Sequence, residues 1–187
     1  MKGVLDRIRN RLQIQPRSER LILTLLCLVL LGELFFSARQ LSQSADEATH
    51  LYSGYRYLVC SDLRVSPEHP PLAKIVAASP LLPMNLAVSC APFKGDDVQQ
   101  AIESLNWFYS QTWRSVLARA RIAVSVFTLV LCLLLWIAAR RMFDYWIAVV
   151  ATVLLVFEPN MLAFGGLVMT DVPVMVADQK AGDTFSD

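Results

Sequence analysis

The chain has little charge and few of the residues that build the usual signature loops. Asp, Glu, Lys and Arg make up 18% of its 187 residues, against about 25% in an average globular protein. The 17 basic residues face 16 acidic ones, so there is no basic surplus of the kind that binds nucleic acid. Glycine occurs seven times and never as GxGxxG, as a Walker loop or in GxSxG. Nucleotide-binding and serine-hydrolase readings therefore have no residues to rest on. Four cysteines without a CxxC, and two histidines without an HExxH, leave no ready metal set and too few bridges for a disulfide-dense miniature scaffold. What fills the space is apolar: 55% of the chain, gathered into runs rather than spread.

A bilayer core needs roughly 20 apolar residues of helix. The run LILTLLCLVLLGELFFS, interrupted only by Glu33, sets a first transmembrane helix over 21–38. A cleaved signal peptide competes with it, but the run is longer than the usual apolar stretch of such peptides and contains a carboxylate. A second helix covers 122–139, which holds no charge and is closed by Arg140 and Arg141. A third, 145–169, is interrupted by Glu158-Pro159-Asn160; proline removes a backbone donor, so a kink or an end is expected there. Residues 170–176 read as the start of a fourth helix, and the polar tail 177–187 as the result of a truncation or a shifted frame.

Basic residues flanking spans stay in the cytoplasm. Lys2, Arg7, Arg9, Arg11, Arg17 and Arg20 before the first span, and the short turn 140–144 with its two arginines, place the N-terminus inside. The long segment 39–121 is then extracytoplasmic. Residues 1–20 carry Val4, Leu5, Ile8 and Leu12 on one helical stripe, which suits a basic amphipathic segment on an anionic leaflet, or a frayed basic tail. The fold class is thus all-α: a polytopic membrane protein with three transmembrane helices, the start of a fourth, and amphipathic interfacial helices in a long first outer loop.

That loop carries the chemistry. Ser44-Ala45-Asp46-Glu47 has the capping-box pattern and starts a helix running to about Cys60, with Asp46, His50 and Tyr57 near one face and Gly54 permitting close approach. Glu47 reads either as a cap or, with Asp46, as one of two adjacent carboxylates able to supply a general base. Pro67-Glu68-His69-Pro70-Pro71-Leu72-Ala73-Lys74 sets Glu68 and His69 before a helix reaching about Ser79, whose start suits an anion such as phosphate; a structural histidine among prolines is the alternative. SPLLPMNLAV reads as a membrane-surface connection. A helix over Asp96–Trp113 places Val98, Ile102, Leu105, Tyr109 and Trp113 on one stripe, and Trp107, Phe108, Tyr109 and Trp113 read as an aromatic belt laying the loop on the bilayer. Cys27 and Cys132 read as small apolar packers within spans. Cys60 and Cys90 could bridge in an oxidising compartment.

DEATHLYSGYRYL, DLRVSPEHPPLAKIVAASPLL, ARIAVSVFTLVLCLLLWIAARRMF and FEPNMLAFGGLVMTDVP, in that order, resemble the N-terminal part of the GT-C glycosyltransferases that use a phospholipid carrier, among them protein O-mannosyltransferases and aminoarabinose transferases. The resemblance covers roughly residues 20–176. It implies an inner-membrane, multi-pass enzyme that moves a sugar, mannose or a modified pentose, from a polyprenyl-phosphate carrier to a lipid, protein or glycan acceptor hydroxyl on the outer face, with inversion. It implies catalytic roles for Asp46, with Glu47 beside it, and for Asp171. It implies contact of His69, Lys74 and Glu68 with the carrier phosphate. Membrane lipids are expected partners and nucleic acid is not; no cofactor is required, a divalent cation being the one left open. A non-catalytic membrane protein that binds a carrier lipid or a partner subunit is the alternative, and a transporter-like broken helix a third reading.

Overall fold

The computed structural model describes residues 16–67, 70–92 and 95–169. The basic segment before Pro16, Glu68, His69, Asp171, the expected fourth helix and the tail lie outside these residues. Among the described residues every regular element is helical, in the order α1 (Pro16–Gln40), α2 (Ala45–Cys60), α3 (Pro71–Ala78), a 3-10 turn (Ser79–Met84), α4 (Asp97–Ser110), α5 (Trp113–Met142), α6 (Tyr145–Val156) and α7 (Pro159–Phe164).

Two of these helices, over Arg17–Gln40 and Trp113–Met142, are long and apolar enough to cross a bilayer. They pack on one another and, with α6, form a three-helix layer, in which Leu30, Leu34, Cys132 and Val156 are fully buried. Because α1 already begins at Pro16, Arg17 and Arg20 belong to it and not to a separate N-terminal segment. Helix α5 is also longer than the charge-free run: it starts at Trp113, before residue 122, and carries Arg114, Arg119 and Arg121 in its first turns.

The third apolar stretch divides at the proline. Helix α6 ends at Val156 after 12 residues, about 18 Å of axis and so shorter than a bilayer core. Glu158 then accepts the Met161 N–H at 2.7 Å, satisfying one of the orphan donors of the next helix, and Pro159 opens α7. Beyond Phe164 the chain passes Gly165 and Gly166, both buried, where a close approach is required. A Cβ on Gly165 would stand 2.8 Å from Thr128 Oγ1, whose hydroxyl donates to the Gly165 carbonyl at 2.7 Å.

At one end of this layer, α2, α3, the 3-10 turn and α4 build a helical cap around the first turns of α5. Its core holds Leu51, Tyr55, Ala78, Leu81, Trp107, Phe108, Val116 and Leu117. The α2–α3 crossing is close because Gly54 has no side chain: a Cβ there would lie 2.2 Å from the Lys74 carbonyl oxygen.

Three local expectations are corrected by this packing. The stretch SPLLPMNLAV is no surface connection throughout, since its 3-10 turn sends Leu81 into the core. The helix expected over Asp96–Trp113 stops at Ser110, and Trp113 opens α5; between them the Gln111 N–H closes back on the Phe108 carbonyl. The aromatic set also divides. Trp107 and Phe108 are buried in the cap, Trp107 donating to the Ala87 carbonyl at 2.8 Å, while the stripe of Val98, Ile102, Leu105 and Tyr109 is exposed.

Candidate active site

Helix α2 starts as its sequence dictates. Ser44 is extended at the N-cap, and its N–H donates to Glu47 Oε2 at 2.9 Å. The same carboxylate does far more than cap. Glu47 is fully buried and faces Arg121, also fully buried, with Arg121 Nε 2.9 Å from Oε1 and Nη2 2.7 Å from Oε2. Nη1 of Arg121 donates to the Ala38 and Leu41 carbonyls at 3.2 and 2.8 Å, and Nη2 also to Ser42 O at 2.8 Å. All five guanidinium hydrogens are thereby used. Glu47 Oε1 accepts one bond more, from the Val168 N–H at 3.1 Å.

One buried ion pair therefore joins four pieces of chain: the end of α1, the start of α2, the N-terminal part of α5 and the segment after α7. A buried pair of this kind adds little net stability against an apolar substitute, but it is costly to break because it leaves a bare charge behind. Arg121 was missed by the sequence reading, which took it as the last residue of a loop. Its signal is positional, since it falls with Leu117, Val124 and Thr128 on the buried stripe of α5, and a charge on such a stripe requires a partner.

The expected site residues separate accordingly. Asp46 is exposed at the first turn of α2, open to a substrate. Glu47, by contrast, is buried, and both its oxygens are held by donors within the fold. His50 and Tyr57 are buried, so the face they were expected to share with Asp46 turns inward one turn beyond it. Lys74 is corrected as well. It is fully buried and donates to Ser66 O, to Ser66 Oγ at 2.9 Å and to Tyr57 OH at 3.5 Å, while the Tyr57 hydroxyl donates to the Val65 carbonyl. The ammonium thus fastens the 65–67 turn to α2 and α3 and does not face outward to a phosphate. Among the described residues no group of three or more His, Cys, Asp and Glu is arranged to hold a metal ion.

A second ion-pair cluster, also missed, closes the far end of α2. Arg56 Nη2 lies 2.9 Å from Asp62 Oδ2, and Arg64 Nε 2.8 Å from Oδ1. Hydrogen bonding from Arg64, with Arg56 beside it, holds the Asp62 carboxyl down at about 2. Cys60 and Cys90 are joined in a disulfide with Cα atoms 5.3 Å apart, the pairing that the sequence left open.

At the opposite end of the helical layer Arg140 Nε meets Glu19 Oε1 at 2.6 Å, both side chains partly exposed. The two pairs, Arg121–Glu47 and Arg140–Glu19, are about 19 residues apart along α5, roughly 28 Å at 1.5 Å per residue, and the stretch between them carries no charge. That length is close to a hydrocarbon core of about 30 Å. Asp46 lies at the Arg121 end of this stretch, beside Glu47.

Fold and site together define a helical protein with two bilayer-length apolar helices and an exposed carboxylate, Asp46, next to a buried ion pair. The family described as dolichyl-phosphate-mannose-protein mannosyltransferase matches residues 63–177, more than half of the chain. The chain belongs to this family, and it is a membrane glycosyltransferase of the GT-C type. No curated protein and no solved structure matches the chain.

Proposed function

We propose that the protein transfers a sugar, mannose or a modified pentose, from a polyprenyl-phosphate carrier to an acceptor hydroxyl at the extracytoplasmic face, with Asp46 as the general base. Asp46 takes the proton of the acceptor hydroxyl as its oxygen attacks the anomeric carbon. The bond from that carbon to the phosphate oxygen breaks, the carrier phosphate leaves with the electron pair, and the anomeric configuration inverts. The observation that carries this reading is the Glu47 carboxylate. It fixes the exposed Asp46 at the membrane boundary and, through the Val168 N–H, draws in the segment that leads to Asp171 three residues later.

The depth is right for the donor. A carrier lipid holds its phosphate among the head groups, and the charge developing on the leaving group needs donors or cations at that level. His69 directly precedes the Pro70-Pro71 start of α3, and with Lys74 committed inward it is the phosphate contact we assign; the Glu68 carboxylate beside it is an acceptor and does not serve the phosphate charge. We place the two hydrocarbon boundaries at the Arg121–Glu47 and Arg140–Glu19 pairs; the chain leaves the Arg140 end at Tyr145 and meets Glu47 at Val168, and we read α6, α7 and the turn beyond them together as a third crossing. The Cys60–Cys90 bridge supports an oxidising, extracytoplasmic cap.

The test is turnover with a polyprenyl-phosphate sugar donor in the full-length enzyme. Asp46→Asn should abolish transfer while the protein still inserts and melts as the wild type does. Near-normal turnover by this variant refutes the base assignment. Carrier binding without turnover in the wild-type enzyme would instead favour a lipid-binding protein.

A further inference from the structure

Arg56 is 2% exposed and lies one helical turn before Cys60 on α2. Its Nη1 donates to the Ser89 carbonyl at 2.7 Å and its Nη2 to the Ala91 carbonyl at 2.8 Å. These residues stand on either side of Cys90. Nη2 also reaches Asp62, two residues after Cys60. One guanidinium therefore grips the backbone around one cysteine and the carboxylate beside the other. The segment before Cys90 is docked independently by the Leu86 N–H on Tyr55 OH, at 2.9 Å, and by Trp107 on Ala87. None of these contacts needs the S–S bond.

We propose that Arg56 is the seat of a disulfide-forming site: it docks the Cys90 segment on α2 while both sulfurs are still thiols, so the bond is installed on a cap that is already folded. The chemistry is thiol–disulfide exchange with an external disulfide, either an oxidoreductase or glutathione disulfide. The thiolate of one cysteine attacks it and expels one thiol, leaving a mixed disulfide. The second thiolate then attacks the protein sulfur of that bond and expels the other thiol. Two protein thiols and one external disulfide become the Cys60–Cys90 bond and two external thiols. The second step closes a loop across a sequence separation of 30 residues. In a loose chain such a closure is governed by loop statistics; the Arg56 clamp replaces those statistics with a fixed approach.

The test uses the full chain in detergent with Cys27 and Cys132 changed to alanine, so that only the pair reports. The protein is reduced without denaturation, reoxidised with glutathione disulfide, and sampled by maleimide trapping. The unsubstituted pair should close with little mixed disulfide accumulating. Arg56→Gln should slow closure at least tenfold and accumulate the glutathionylated form, whereas Arg64→Gln, which touches Asp62 from the exposed side, should behave as the parent. Closure of Arg56→Gln at the parent rate overturns the proposal. Should that variant not fold, Arg56→Lys decides: a single ammonium lacks the fork that holds the Ser89 and Ala91 carbonyls together, so closure should again slow at least tenfold, and closure at the parent rate overturns the proposal.

Discussion

Replacing Glu47 by glutamine changes one atom and isolates the ion pair. Each carboxylate oxygen accepts one Arg121 hydrogen and one backbone N–H, from Ser44 at Oε2 and from Val168 at Oε1. Whichever oxygen becomes the NH2 group, two donors then face a donor, and a fully buried guanidinium loses its counter-charge. Breaking a buried pair from one side costs about 3–5 kcal/mol, a large share of a typical total of about 5–15 kcal/mol. For a chain of this size each kcal/mol moves the midpoint by about 2–4 °C, so Glu47→Gln should melt roughly 6–20 °C lower in a nanodisc thermal-shift assay. Asp46→Asn removes an exposed charge and should shift the midpoint by less than about 2 °C, consistent with surface changes of about 0.5 kcal/mol or less. Arg121→Met in the Glu47→Gln background should recover part of the loss by removing the bare charge, but not all, because three carbonyls lose their donor. The reasoning is refuted if Glu47→Gln melts with the wild type, or if Asp46→Asn is as unstable as Glu47→Gln.

Three further outcomes follow from the cap. Gly54→Ala should destabilise by about 1–3 kcal/mol, read as a lower melting midpoint, because its Cβ meets the Lys74 backbone, which has no flexible end to yield. Lys74→Met should lower the midpoint by a similar amount, about 1–3 kcal/mol, through the buried hydrogen bonds lost at the Ser66 hydroxyl and carbonyl, and leave the KM for the carrier unchanged; a raised KM with an intact midpoint would restore the phosphate role. The Asp62 carboxyl is held at about 2 against an ordinary 3.8. A depressed carboxylate stabilises fully above its unfolded value and loses that contribution as pH falls through its folded one. The difference in melting midpoint between wild type and Asp62→Asn should therefore be constant above about pH 4 and shrink toward pH 2.

Much of this architecture is legible along the chain because it depends on local pattern. The apolar runs, the Ser44 to Glu47 spacing and the Pro159 break each involve neighbours within a few turns, while Gly54 signals a close approach without naming its partner. What is not legible is long-range choice of partner. Glu47 satisfies the capping pattern and also reaches Arg121, 74 residues away in sequence. A cap and an ion-pair anchor look alike until the fold brings α5 alongside. Lys74 was misplaced for a related reason: a cation near prolines suits an anion, but Ser66 and Tyr57 offer acceptors inside the cap, and packing prefers them. Trp107 and Tyr109 differ by two positions and hence by about 200° around a helix, so one enters the core and the other leaves it.

The spacing of the two arginines on α5 has a consequence for where the protein works best. A helix that exceeds the local hydrocarbon thickness tilts, and one that falls short thins the bilayer around it. Helix α5 enters the cap without a break, and Arg121 binds it to the ends of α1 and α2 by five hydrogen bonds, so any lean of the helix is passed to the start of α2 without slack. On the proposed function, acyl-chain length then becomes a control on how deep Asp46 sits relative to the carrier phosphate. Turnover should peak in bilayers whose core is close to 30 Å and fall away on either side.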